Sequence, residues 1–301
     1  MCAIQSSSKD DVTAASQLAA SNKSPIEIRQ VKGLSELRAV EDLQKEVWRC
    51  SDREIVPSLA LVPLLEIGGV LIGGFQKNEL IAFVLGFPGI ENDRPILHSE
   101  MLAVKREFRS SGLGYRLKLA QREKALQKGI DKITWTFDPL QSLNAHLNFS
   151  RLGVISDRYK VNYYGQTSSF LHRTGTDRLW VSWLLNSERV KRKLEGATNL
   201  PDVEGAATVL AVSDTGEPVL NQDIAKDRLI LEIPGDVNEL MRKESDIAIR
   251  WREASRQAFS SVLDAGYTLV DFYRSERKGR AIGSYLGSIL SSSKPAKQAK
   301  A

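Results

Sequence analysis

MLAVKREFRSSGLGYRL, Met101 to Leu117, is the stretch whose reading decides the fold. Its apolar start closes a run, PILHSEMLAV, that predicts a strand ending at Val104. From Ser111 the pattern changes: Leu113, Leu117, Ala120 and Leu126 recur at helical spacing with charges between them, and Gly129 is placed to end the helix. Arg109, Ser110, Ser111, Gly112, Leu113 and Gly114 therefore lie at a strand-to-helix junction. A pyrophosphate there would meet the unpaired N–H groups of the first helical turn and the positive end of the helix dipole, with the glycines allowing close backbone approach. Two glycines alone would signal only a tight turn; the flanking strand and helix turn the reading toward phosphate. Tyr115 and Arg116 after Gly114 exclude a Walker A loop, and neither spacing nor position fits a dinucleotide-binding turn.

Upstream, Ile26, Ile28 and Val31 suggest a short strand, followed by a helix N-capped at Ser35 and carrying Leu37, Val40, Leu43, Val47 and Trp48 inward. GGVLIGGF and LIAFVLGFPG flank the polar turn Gln76 to Glu79 and predict a hairpin. Downstream, KITWTF predicts a strand ended by Asp138, Pro139 and Leu140, and Ser142 to Leu152 a short helix closed by Gly153. The order through this part is β, α, β, β, β, α, β, α. The stretch ATNLPDVEGAATV, residues 197–209, is expected to be a connection or boundary. Beyond it LILEIP and GYTLVDFY predict strands, with a long helix within Val237 to Ala265. The expected organisation is a disordered lead over 1–24, a first domain over 25–196, a C-terminal α+β region over 197–290 and a disordered basic tail over 291–301.

Composition narrows the function classes. The chain has 301 residues, 42% of them hydrophobic, with no run approaching the roughly 20 apolar residues a bilayer span requires. Its polar start lacks a secretory pattern, so a cytoplasmic location and no membrane partner are expected. Cys2 and Cys50 show no metal-ligand spacing, so no metal is expected. The net charge of +5 is evenly mixed along the chain, which suits a polyanionic ligand and offers no clustered footprint for nucleic acid.

The Arg109-to-Gly114 loop resembles the R/Q-x-x-G-x-G/A motif that the GNAT superfamily of acyl-coenzyme A dependent N-acyltransferases carries after its fourth strand. The resemblance runs by element order over about residues 26–195. It implies an α+β fold, a central mixed sheet flanked by helices, to which this chain adds its C-terminal α+β region. It also implies acetyl-coenzyme A or another acyl-coenzyme A, succinyl being the other group considered, as co-substrate. The coenzyme would be held by Arg109, Ser110, Ser111, Gly112, Leu113, Gly114 and Tyr115 and by main-chain groups of Met101, Leu102 and Val104. The acceptor would be the amine of a small metabolite, with a free amino acid first to be tested, and a homodimer is allowed. WTFDPLQSLNAHLN is similar to the signature of an uncharacterised bacterial GNAT-like group. The family's N-x-x-A-x-x-x-Y helix aligns with SLNAHLNFSRLG, but Ser142 stands at the Asn position and Phe149 at the Tyr position that faces the coenzyme thiol. Phe149 has no proton to give a departing thiolate, which leaves Tyr159, Tyr163 or Tyr164 for that role, or none. The same substitution raises the alternative of a module that binds or senses acyl-coenzyme A without turnover.

Amide formation needs a neutral amine, and so a base. Strict alternation along Ile96 to Val104 would place His98, Glu100, Leu102 and Val104 on one face; Glu100 is the first choice for the base and His98 the second. Asp138, Asn144 and Arg178 are the expected acceptor contacts, and Arg252 and Arg256, four residues apart on one helix, could clamp an anion.

Overall fold

The computed structural model describes residues 24–49, 51–165, 175–197, 200–221 and 226–290. The expected lead (apart from Ser24), the basic tail, Cys2 and Cys50 lie outside these residues. The first part runs β1 (Glu27–Gln30), α1 (Gly33–Trp48), α2 (Ser58–Glu66), β2 (Val70–Gln76), β3 (Glu79–Glu91) and β4 (Arg94–Val104). It continues through α3 (Leu113–Gln127), β5 (Lys132–Phe137) and α4 (Ser142–Ala145), which runs on as π-helical turns over His146–Arg151. Then come β6 (Ile155–Lys160), β7 (Arg178–Leu184) and α5 (Glu188–Leu194). The C-terminal part comprises β8 (Ala207–Val212), β9 (Pro218–Leu220), β10 (Arg228–Pro234), α6 (Val237–Lys243), α7 (Ser245–Asp264), β11 (Thr268–Arg277) and β12 (Arg280–Ser288).

Three expectations change. Helix α1 begins at Gly33, and Ser35 lies inside it: the Glu36 carboxylate accepts the Lys32 N–H at 2.7 Å and caps the turn instead. Helix α2 was absent from the predicted order, because SLALVPLLE is apolar throughout, contains Pro63 and shows no amphipathic period. The stretch read as a connection supplies the first residues of β8.

Among the described residues the strands form one mixed sheet ordered β1-β2-β3-β4-β5-β7-β6-β11-β12-β10-β8-β9. The pairs β4–β5 and β8–β10 are parallel and the rest antiparallel. Two-residue hairpin loops set the register of β2, β3 and β4: Lys77 and Asn78, then Asn92 and Asp93, all take positive φ, the conformation that matches the twist of the flanking strands. A smaller core, with Leu37, Val40, Leu43 and Leu61, seals α1 and α2 to one face of β2 to β4. A larger one runs beneath α3 and on into the C-terminal strands. No helix among the described residues is long and apolar enough to cross a membrane.

Strand β11 meets β6 at one residue pair, Leu269 with Ser156, so side chains do much of the joining. The Tyr285 hydroxyl donates to the Pro139 carbonyl at 2.7 Å, and Lys193 pairs with Asp271 at 3.1 Å. Arg252 on α7 meets Asp138 at 2.6 Å, with only 3% of its side chain exposed. Four residues on, Arg256 meets Asp177 at 2.9 Å. The two arginines expected as an anion clamp are thus each spent on an internal carboxylate. Arg252→Met should cost about 3–5 kcal/mol in denaturant unfolding, because it strands the Asp138 charge in the interior, and adding Asp138→Asn should recover part of the loss.

Candidate active site

Strands β3 and β4 pair from Glu91 and Arg94 to Ala82 and Val104, but the register slips between Leu85, opposite Met101, and Gly86, opposite Ser99. Glu100 is the extra residue, a β-bulge. The bulge exchanges the faces of the strand: Leu97, Leu102 and Val104 all pack into the α3-side core, whereas Met101 and Ala103 pack under α1 and α2. The strict alternation that put His98 and Glu100 beside Leu102 and Val104 is therefore broken. His98 points away from α3, toward Thr134 and Trp180.

Beside the bulge the sheet opens. Strand β5 pairs with β4 only at Leu97 with Ile133 and His98 with Thr134, while it stays paired with β7 along its whole length. From Ser99 onward one edge of β4 has no strand partner among the described residues. On the face away from α3, polar and aromatic groups gather at this parting. His98 Nδ1 lies 2.9 Å from the Thr134 hydroxyl, its Nε2 lies 3.5 Å from Glu100 Oε2, and its ring stacks at 4.7 Å on Trp180. The Thr136 hydroxyl is 3.2 Å from the Tyr164 hydroxyl, and the Arg178 guanidinium sits 5.2 Å from the Tyr164 ring. Burial raises the Tyr164 phenol above its ordinary value, opposed by the Thr136 hydrogen bond and reinforced by the nearby Glu100 carboxylate.

At the far end of β4 lies the loop before α3. Gly112 is its N-cap with φ of 78°, and a Cβ there would point into open space. Gly114 has a different use: a Cβ would come within 3.4 Å of Leu102 Cδ2, so the glycine lets the helix lie close on β4. The first helical bond runs from Arg116 N–H to the Gly112 carbonyl at 3.1 Å, which leaves the N–H groups of Leu113, Gly114 and Tyr115 ahead of the helical ladder. The loop is braced from within, as the Ser111 hydroxyl donates to the Phe108 carbonyl at 2.7 Å and Arg109 Nε to the Val104 carbonyl at 3.2 Å. Such a turn offers backbone donors and a helix dipole to a pyrophosphate.

Residues 38–153, from α1 to just past the π turns, match the family model described as "Acetyltransferase (GNAT) family". Those residues form a GNAT-type acetyltransferase domain. No curated protein matched the chain. Among solved structures, the ribosomal-protein-S18-alanine N-acetyltransferase of Escherichia coli superposes with a TM-score of 0.43 at 13% identity, covering 54% of this chain and 96% of its own. The PaiA N-acetyltransferase of Thermoplasma acidophilum, solved with coenzyme A, gives 0.39 at 18% identity, covering 52% of this chain and 98% of its own. An aminoglycoside 6'-acetyltransferase type Ii gives 0.43 at 15% identity, covering 54% and 98%.

Within and beside the GNAT domain, several side chains named from the sequence sit elsewhere than expected. Phe149, expected against the coenzyme, is fully buried, edge-on to Tyr285 at 5.5 Å and beside Phe137 at 6.4 Å. The π turns and the added strand β12 make it a core residue. Asp138, expected in the acceptor pocket, accepts the Leu140 N–H at 3.0 Å and pairs with Arg252. Tyr159 donates its hydroxyl to Asp177 at 2.9 Å and stacks on Phe259, so it is not placed to serve a thiolate. Burial opposes ionisation of Asp177, yet Arg256, the Asn162 N–H and Tyr159 outweigh it and hold this carboxyl below its usual range. Asn144 is exposed on α4. Thr134, Thr136 and Trp180 were missed, although the alternating threonines of KITWTF already mark one polar face of β5. Arg151 was missed as well; its guanidinium lies 5.1 Å from the ring of Tyr115 at the start of α3.

Gly112→Asp should weaken coenzyme A binding by at least about tenfold, since it sets a carboxylate where the backbone offers donors to phosphate. Gly129, also left-handed at φ of 73° and also open, is the control. Gly129→Asp should show a similar fall in thermal midpoint with calorimetric coenzyme affinity unchanged.

Proposed function

We propose that the protein transfers an acyl group from coenzyme A to the primary amine of a small metabolite. The observation that supports this best is the polar face gathered where β4 and β5 part. The pyrophosphate rests on the Arg109-to-Gly114 backbone, and the pantetheine arm follows the unpartnered edge of β4 past Val104, Leu102 and Met101. Main-chain N–H groups of that edge polarise the thioester carbonyl and stabilise the oxyanion as the amine attacks. Tyr115 closes the first turn beside the coenzyme.

Glu100, pushed out of the ladder by the bulge, takes the proton of the incoming ammonium, and His98, fixed by Thr134 and Trp180, orients its carboxylate. Tyr164 replaces the family tyrosine lost at Phe149: a phenol is protonated at neutral pH and can give its proton to the leaving thiolate. Arg178, buried beneath Tyr164, adds a fixed positive charge at this face, which favours an acceptor bearing a carboxylate near its amine, such as a free amino acid. Asn144, exposed on α4, is a further proposed acceptor contact.

A screen of amino acids and polyamines with acetyl- and succinyl-coenzyme A, followed as thiol release, identifies the acceptor. With it, Glu100→Gln should lower kcat by about 10²-fold or more and leave coenzyme affinity unchanged. An unaltered kcat and an unaltered acid limb of the pH–rate profile would remove Glu100 from the mechanism.

A further inference from the structure

On the other face of the same parting, beneath α3, lies a polar cluster that the proposed reaction does not use. Lys118 is only 4% exposed. Its Nζ donates to the Ser99 hydroxyl at 2.7 Å and stands 3.8 Å above the Trp135 ring. Ser99 and Trp135 immediately follow His98 and Thr134, the last pair that β4 and β5 share, so the amine sits where the strands begin to separate. Gln121, one helical turn further on α3, is fully buried, and neither its amide nitrogen nor its amide oxygen has a hydrogen-bond partner among the described residues. It lies over Gly86, the residue opposite Ser99, where a Cβ would come within 2.9 Å of its nitrogen.

Two other cations set into this interior are matched by carboxylates, Arg252 by Asp138 and Lys193 by Asp271. Lys118 has a hydroxyl and an indole face instead. Burial lowers its pKa to about 7. An ammonium has three donors and a glutamine amide two, so this apolar layer holds hydrogen-bonding capacity suited to an anion.

We propose that Lys118, Ser99 and Gln121 form a carboxylate-binding subsite at the apex of the β4–β5 opening, which selects acyl groups ending in a carboxylate, such as succinyl. The inference rests on the acyltransferase reading, since that reading brings the thioester to the apex. A terminal carboxylate there accepts from the Lys118 ammonium, the Gln121 amide and the Ser99 hydroxyl. Its charge favours the protonated amine, so binding above pH 7 takes up a proton.

Calorimetric titration of the full chain with succinyl- and acetyl-coenzyme A tests this. At about pH 8 the wild type should prefer the succinyl thioester by at least about tenfold, the fold-change of one charge-assisted hydrogen bond. Its binding heat should vary with buffer ionisation enthalpy in the sense of proton uptake. In Lys118→Met the preference should collapse toward one and the uptake should vanish. Equal affinities without proton uptake in the wild type, or a preference that survives in Lys118→Met, overturns the subsite. Those outcomes leave the acyltransferase reading intact. Failure of both thioesters to bind, with no coenzyme-dependent protection of the Arg109-to-Leu117 amides from hydrogen exchange, overturns both.

The variant is expected to fold. The lysine amine has a pKa of about 7 when buried and an ordinary value of 10.5, so between these the unfolded chain binds more protons and wild-type stability rises with pH. The burden of the buried charge is complete below pH 7 and gone above 10.5. Lys118→Met should therefore melt above the wild type at pH 7, with the gap closing as pH approaches 10.5. Should it fail to fold, Ser99→Ala carries the same affinity comparison.

Discussion

Between β4 and β5 the backbone gives up its hydrogen-bonded pairing after two residues, and the rest of the site depends on that lapse. A main-chain donor or acceptor left without a partner inside a sheet costs about 1–3 kcal/mol unless something else bonds to it. An extended ligand carrying amides, inserted as a surrogate strand, is the chemical complement of such an edge. The Glu100 bulge sits at the same point and exchanges the faces of β4, turning one strand into two working surfaces. Gly114 then lets α3 lie close on Leu102, and the first-turn donors of the helix stand at the far end of that edge.

The C-terminal part is tied to this arrangement through ion pairs. Arg252 and Arg256 project from one helix onto Asp138 and Asp177, which stand at the end of β5 and just before β7. These are the segments that border the polar face. One helix thus holds the adjoining ends of β5 and β7, and the deep burial of Arg252 makes that hold expensive to break. Filling the space beside α4 with β12 also explains the fate of Phe149. Once Tyr285 packs on that ring there is no room for a ligand against it, and a phenylalanine serves better than a tyrosine whose hydroxyl would need a buried partner.

The opposed charges of the two faces follow from the same geometry. Glu100 and His98 lie on the side proposed to receive the amine, and Lys118 lies on the other side, under α3 and beyond direct bonding to any described carboxylate. Strands that had stayed paired would have held these groups apart with a continuous ladder. Their separation sets both groups beside one opening, as the proposed subsite requires.

The strand, the Arg109-to-Gly114 turn and the helix after it were legible in MLAVKREFRSSGLGYRL, because local periodicity and glycine stereochemistry act over a few residues and need no distant partner. The β2–β3 hairpin was likewise encoded by a short polar turn between apolar runs. What a long-range contact decides was not legible. The bulge at Glu100 is a mismatch of length between two paired strands, so reading β4 alone put His98 on the wrong face. Asp138 and Arg252 lie 114 residues apart, and nothing in either segment marks one as the other's partner. Phe149 is core only because strands more than a hundred residues later close over it, and Lys118 reads as one more surface charge until α3 is laid on the sheet. Sequence determined most of the first part's elements and the strand-turn-helix proposed to hold a phosphate; tertiary structure decided which side chains share a face, because burial and pairing depend on neighbours that only folding brings together.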